Sequence, residues 1–104
     1  MDRTDKRILI VGAGPVGLTL ACLLARVGTP FRIIDSKSGT VSDSRALGVH
    51  ARTLEVMQSL DLAQDFIRHG RITRYMTFHD KNRALFSLDF DVLRRDTAYP
   101  YYLI

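Results

Sequence analysis

Three glycines and one carboxylate have the types and the spacing of residues that bind a dinucleotide. Gly12, Gly14 and Gly17 form a GxGxxG pattern, and Asp35 follows at close to the separation of about 20 residues that such sites show. The glycines allow a tight turn, a close approach of the backbone to a pyrophosphate, and close packing of the following helix on the sheet. The carboxylate can accept hydrogen bonds from both hydroxyls of an adenosine ribose. It would repel a 2′-phosphate, which argues against NADP at this site.

The elements around these residues are the ones that such a site needs. Arg7–Val11 is a short, continuously apolar run, typical of a strand that is buried on both faces of a parallel sheet. Val16–Val27 is apolar almost all round, which predicts a helix buried on several sides, and Gly28 marks its end. Phe31–Ile34 is the second strand, closed by Asp35. This order predicts an α/β fold that starts with a Rossmann-like βαβ unit.

The predicted site lies at the start of the helix and at the end of the second strand. A helix N-terminus offers free N–H groups and a partial positive charge to phosphates. Pro15 suits the first helical turn, where its missing N–H costs nothing. The candidate cofactor-binding residues in this part of the chain are Gly12, Gly14, Pro15, Val16, Gly17, Asp35 and Ser36.

The rest of the chain predicts helices followed by a β-hairpin. Ala51–Leu60 has an apolar and a polar side, as an amphipathic helix does. Asp61 is expected to cap a short second helix that Gly70 ends. Two strands, Ile72–His79 and Ala84–Phe90, flank a polar turn and predict a hairpin.

Composition excludes several classes of protein. The 104 residues suffice for one small domain, and the net charge of +4 comes with scattered arginines and no nucleic-acid motif, so we expect no nucleic-acid partner. Cys22 is the only cysteine, which excludes an intrachain disulfide and a cysteine metal cluster, and we expect it to be buried in the helix. Ile8–Ala25 is uncharged, but its glycines and proline break it as a membrane helix. We therefore expect a cytoplasmic protein that does not contact a membrane.

Several residues beyond the turn resemble the extended FAD fingerprint of flavoproteins with two dinucleotide-binding domains. Ala21 and Gly28 match it, whereas Phe31 replaces a small aliphatic residue and Asp35 replaces a glutamate. The runs SRALGV at 44–49, ARTLE at 51–55 and YPYY at 99–102 resemble the phenol-hydroxylase and polyketide-hydroxylase branch of class A flavin monooxygenases. This resemblance covers essentially the whole chain.

The resemblance implies a function and one more site residue. It implies FAD as cofactor, NAD(P)H as reductant and hydroxylation of a small aromatic or polyketide-like substrate. The arginine that matches Arg45 in such enzymes lies against FAD, near its pyrophosphate and ribityl chain, so Arg45 joins the candidate cofactor-binding residues. Arg52 is interpreted as part of a solvated helix face.

The same resemblance implies that residues 1–104 are the N-terminal part of an FAD-binding domain. The hairpin at 71–90 would belong to the start of a substrate-domain sheet. We assign no catalytic base and no metal site, and we expect the chain alone to be inactive. The first strand is apolar on both faces, and Phe31–Ile34 and Tyr101–Ile104 are its candidate partners. Because the first strand and the apolar helix lack cover and the hairpin would present open edges, we expect self-association. Two alternatives stay open: a non-catalytic nucleotide-binding or self-associating module, and a fragment of an NAD-dependent dehydrogenase.

Overall fold

The computed structural model describes residues 8–43 and 46–104. The chain divides into two compact units, Met1–Asp43 and Ser44–Ile104. The first unit contains a βαβ arrangement, and the second contains two helices, a hairpin and a short two-stranded sheet. This is the α/β fold that the sequence predicts.

The first unit contains the predicted Rossmann-like elements. They are β1 (Ile8–Val11), α1 (Pro15–Arg26) and β2 (Phe31–Ile34). The two strands pair in parallel along their whole length. Arg7, the predicted start of the first strand, lies outside the described residues. Because parallel strands end at one edge of a sheet, Gly12 and Asp35 emerge from the strands side by side.

Gly28 ends α1 through a Schellman motif. Its φ is +70°, in the left-handed region that favours glycine. Its N–H donates to the carbonyl of Ala25 at 3.1 Å, and the N–H of Thr29 donates to the carbonyl of Leu24 at 2.9 Å. These two bonds satisfy carbonyls that a helix end otherwise leaves unpaired, and they direct the chain into β2.

The side chains of α1 are more exposed than the sequence predicts. Within the described residues, Ala21 is the buried residue of this helix, and Cys22 is exposed rather than buried. The helix packs against β1 and β2, which cover only one of its sides. The prediction that α1 is buried on several sides is therefore wrong.

In residues 8–43 and 46–104, no helix has the length and apolar character needed to cross a membrane.

The second unit is built around a small core between two helices and the C-terminal segment. Its elements are α2 (Ala51–Ser59), α3 (Ala63–His69), β3 (Ile72–Thr73), β4 (Tyr75–Asp80), β5 (Arg83–Asp89), a 3-10 helix (Phe90–Leu93) and β6 (Tyr102–Leu103). The buried core comprises Leu54, Met57, Ala63, Tyr99 and Leu103. The core therefore joins α2 and α3 to the segment that carries β6.

Asp61 does not cap α3 as predicted. Its φ of +62° is left-handed, its N–H donates to the carbonyl of Gln58 at 3.0 Å, and the N–H of Leu62 donates to Met57 at 2.8 Å. Asp61 thus ends α2 in a second Schellman motif, and Leu62 becomes the N-cap of α3 without a side-chain cap. Gly70 ends α3 as predicted.

The predicted strand Ile72–His79 is divided at Arg74. The Arg74 guanidinium donates two hydrogen bonds of 2.7 Å to the Asp89 carboxylate, and its carbonyl accepts from the N–H of Phe90 at 3.0 Å. This arginine closes the base of the β4–β5 hairpin and leaves β3 free to pair elsewhere. β3 pairs antiparallel with β6, so β6 is not a partner of β1.

The core predicts a strong effect of truncating Leu54. Its exposed fraction is 0%, whereas that of Leu47 in the same unit is 77%. We expect Leu54→Ala to lower the free energy of unfolding by about 2–5 kcal/mol, because it leaves a cavity. Leu47→Ala should change it by less than about 0.5 kcal/mol. Urea denaturation followed by circular dichroism measures both, and equal effects would contradict the described core.

Candidate dinucleotide-binding site

Gly12 turns the chain out of β1 at the edge of the sheet. Its N–H still donates to the carbonyl of Ile34 at 2.7 Å, so it remains tied to β2. Its φ of +103° is a conformation that L-residues with side chains rarely adopt. The turn therefore needs glycine at this position for its backbone conformation.

Gly17 allows α1 to lie directly on the turn that precedes it. A Cβ atom at Gly17 would overlap the carbonyl oxygen of Gly12 and lie 3.3 Å from Cγ2 of Ile10. The obstacle is backbone, which cannot move aside without distorting the turn. The absence of a side chain at Gly17 thus brings the first turn of α1 close to the sheet edge.

Gly14 is different, because no feature of the described residues requires glycine there. Its φ of −77° and ψ of −176° are open to any residue, and apart from its chain neighbours no heavy atom of the described residues lies within 4 Å of where its Cβ would be. Gly14 is the N-cap of α1, and it makes no side-chain capping bond. The N–H groups of the first helical turn, which follow Gly14 in the chain, have no partner within the helix. This geometry fits a group that approaches the backbone closely.

Asp35 uses both carboxylate oxygens on backbone N–H groups. Oδ1 accepts from Lys37 at 2.7 Å, and Oδ2 accepts from Ala13, within the glycine turn, at 2.6 Å. The hydrogen bond from the Lys37 N–H, followed by that from Ala13, lowers the pKa of Asp35 below its ordinary value of 3.8. The side chain is therefore an ionised acceptor at neutral pH.

A cavity of about 380 Å³ lies between the ends of β1 and β2. Val11, Gly12, Ile34, Asp35 and Ser36 line it. In parallel sheets the crevice beyond the carboxyl ends of the strands is where nucleotides bind. The structure thus brings three of the predicted site residues to one cavity, while Gly14, Pro15, Val16 and Gly17 lie at the start of α1.

Sequence reasoning missed part of this arrangement. Val11 and Ile34 line the cavity although they were predicted only as strand residues. The bonds from Ala13 and Lys37 to Asp35 were also missed. An aspartate at the end of a strand is known to bond the N–H two residues on, which could have indicated the Lys37 contact. The Ala13 contact depends on the pairing of the strands.

The sequence predicts a role for each of two arginines in the second unit, and the structure describes one of them. Arg45 lies outside the described residues, so its predicted role stays a prediction. Arg52 lies on α2 with its side chain 85% exposed and pairs with Glu55 at 3.1 Å. That position is the one expected of a solvated helix face.

A second cavity, of about 450 Å³, lies in the second unit. Most of its lining is apolar and includes Leu47, Phe66 and Leu103. Two polar side chains, Asp65 and His69, also reach it. The glycine turn and the uncapped N-terminus of α1 belong to the first unit, so the cavity of the first unit is the better candidate for a nucleotide.

Comparison with known proteins assigns the chain to a family. Residues 5–103 match the family described as "FAD binding domain". The chain belongs to the FAD binding domain family. This membership confirms the resemblance predicted from the fingerprint and names FAD as the cofactor, in preference to the NAD alternative.

Named relatives of this FAD binding domain are monooxygenases. The 6-methylpretetramide 4-monooxygenase of Streptomyces rimosus is 44% identical over 98 residues, covering 94% of this chain and 18% of the relative. The pentachlorophenol 4-monooxygenase of Sphingobium chlorophenolicum is 37% identical over 101 residues, covering 96% and 18%. The crystal structure of p-nitrophenol 4-monooxygenase PnpA from Pseudomonas putida DLL-E4 superposes with a TM-score of 0.85 at 28% identity, covering 93% and 25%. The chain thus spans 18% of the length of both curated relatives.

The contact between Gly17 and Gly12 predicts a large effect of a single methyl group. We expect Gly17→Ala to lower the free energy of unfolding of the first unit by about 3 kcal/mol, because the new Cβ meets backbone. Gly39→Ala is the matched control, since nothing lies within 4 Å of a Cβ there. Thermal unfolding by circular dichroism compares the two variants. Unchanged stability of Gly17→Ala would show that α1 does not approach the turn this closely.

Proposed function

We propose that this chain holds the ADP part of FAD at the turn between Gly12 and Gly17, within an NAD(P)H-dependent flavin monooxygenase. The observation that carries the proposal is Gly14. Its backbone conformation is ordinary and its surroundings are empty, yet it stands at the uncapped N-terminus of α1. A phosphate that approaches this backbone accounts for glycine there, and membership of the FAD binding domain family supports FAD as the ligand.

The first turn of α1 supplies the groups that bind the pyrophosphate. The N–H groups of Val16 and Gly17 are donors at the start of the helix, and the partial positive charge of the N-terminus attracts the anion. Pro15 contributes no donor but fixes the backbone for helix entry. These residues discriminate weakly among nucleotides, because every candidate carries phosphate.

Asp35 and Ser36 select the ribose. An ionised carboxylate has about four acceptor positions, so Asp35 keeps capacity for ribose hydroxyls beyond its two backbone bonds. Its negative charge opposes a 2′-phosphate. This side of the site therefore favours the ADP moiety of FAD over NADP.

Residues 8–43 bind and orient the cofactor, and we assign no proton-transfer group among them. A bound flavin supplies the oxidation chemistry, for which the protein provides position and exclusion of water. The similar proteins are named as monooxygenases of 6-methylpretetramide, pentachlorophenol and p-nitrophenol. We propose an aromatic or polyketide-like ring as the substrate class of the whole protein and NAD(P)H as its reductant.

The substitution Gly14→Ser tests the proposal directly. Gly14→Ser keeps a good N-cap residue, so the stability should not fall, but its side chain fills the space that the phosphate needs. We expect FAD affinity, measured by titration of flavin fluorescence, to fall about tenfold or more. Gly39→Ser is the control and should bind FAD as the wild type does. Equal affinity of Gly14→Ser and the wild type would overturn the assignment.

Arg45 tests the part of the site that rests on the resemblance. If its guanidinium contacts the pyrophosphate or ribityl region, Arg45→Ala should weaken FAD binding about tenfold or more, the loss expected for one charge-assisted hydrogen bond. Arg52→Ala removes the same charge from an exposed position that pairs with Glu55 and should do much less. Equal and small effects in both variants would contradict the role of Arg45.

We also propose that the chain self-associates through its exposed apolar strands. The rings of Phe78 and Phe86 stack across the hairpin with their centroids 4.7 Å apart, and the residue Phe86 is 54% exposed. Contiguous exposed apolar surface promotes association. Light scattering of the wild type should show oligomers. Phe86→Thr should weaken this association. Ser87→Thr, at the adjacent position on the opposite face of the strand, is the control and should leave the association unchanged. A monodisperse monomeric wild type would contradict this proposal.

A further inference from the structure

Two neighbouring N–H groups of the glycine turn donate hydrogen bonds to residues at the end of β2. The N–H of Gly12 donates to the carbonyl of Ile34 at 2.7 Å, and the N–H of Ala13 donates to Oδ2 of Asp35 at 2.6 Å. The first bond continues the pairing of the parallel strands. The second is made by a side chain, so it depends on the identity of residue 35.

The segment that these bonds hold is rich in glycine. Ala13 lies between two glycines, which lose more conformational freedom on ordering than other residues. The carbonyl oxygen of Gly12 must also stay in place beneath Gly17, where α1 begins. A bond to Ala13 therefore fixes the part of the backbone from which the phosphate-facing groups start.

The length of the Asp35 side chain suits this task. Its Oδ1 accepts from the N–H of Lys37, two residues on, which is the bond of an Asx turn and is typical of aspartate. The carboxylate is thus held on one side by its own loop and presents Oδ2 to Ala13 on the other. A glutamate, one methylene longer, does not form this local turn in the same way.

We propose that Asp35 is a positioning residue that holds the phosphate turn ready for binding, so that affinity for the pyrophosphate depends on it even without ribose hydroxyls. This inference rests on the proposed function of the site. It goes beyond ribose recognition, because the bonds to Ala13 and Lys37 exist within the chain itself. The low pKa of Asp35 accords with it, since an ionised carboxylate makes both bonds at neutral pH.

A comparison of two ligands separates positioning from ribose contact. ADP and 2′,3′-dideoxy-ADP carry the same pyrophosphate, but the second lacks both ribose hydroxyls. We expect Asp35→Ala to weaken the binding of dideoxy-ADP about tenfold or more, as measured by calorimetry, and that of ADP at least as much, because ADP also loses its ribose contacts. Asp43→Ala removes a carboxylate from the same unit and should leave both affinities unchanged. If Asp35→Ala weakens ADP alone and leaves dideoxy-ADP unchanged, the positioning role is overturned.

Amide hydrogen exchange tests the same role without any variant and without ligand. In the wild type, the amide of Ala13 should exchange slowly, in the range of the Gly12 amide that bonds Ile34. Exchange of Ala13 as fast as that of exposed loop amides at 38–42 would overturn the inference even if ADP binds. Failure of the wild type to bind ADP would instead overturn the proposed function, so the two failures are distinguishable.

Discussion

The close approach of α1 to the backbone of the glycine turn is the constraint on which the first unit depends. Gly17 lies so near the carbonyl oxygen of Gly12 that a side chain would overlap it. This contact places the start of the helix at the carboxyl edge of the β1–β2 pair. The helix N-terminus, the end of β2 and the cavity between the strands can act on one ligand only because of that placement.

Two of the three glycines in the turn are required by the fold, and the third is not. Gly12 and Gly17 are explained by backbone conformation and by packing within the chain, whereas Gly14 is not. A residue that is unexplained by its own structure and that borders a cluster of free donors is a sound indication of a ligand. Asp35 has both characters, because it stabilises the turn and still offers acceptor capacity to a nucleotide.

Local patterns predicted the first unit well, since its strands are short apolar runs and its helix ends at a glycine. β2 has the predicted bounds, and Gly28 adopts the predicted role at the end of α1. The errors concern features that depend on neighbours in space. Cys22 is exposed because β1 and β2 cover one side of α1, and Asp61 ends α2 instead of starting α3. The division of a predicted strand at Arg74 depends on Asp89, which lies far along the chain.

The residues that meet at the end of β1 and β2 could be predicted from the sequence, but the hydrogen bonds between them could not. The glycine spacing and Asp35 singled out residues of which three line one cavity, and their role in binding the cofactor stays a prediction. The hydrogen bond from Ala13 to Asp35 could not be inferred from spacing. The central claim, that a nucleotide binds at this turn, is tested most directly by titrating the isotopically labelled chain with FAD and following each backbone amide by NMR. We predict that the largest shifts fall on residues 12–18 and 35–37. Shifts concentrated around Leu47 and Phe66 in the second unit, with the glycine turn unchanged, would contradict it.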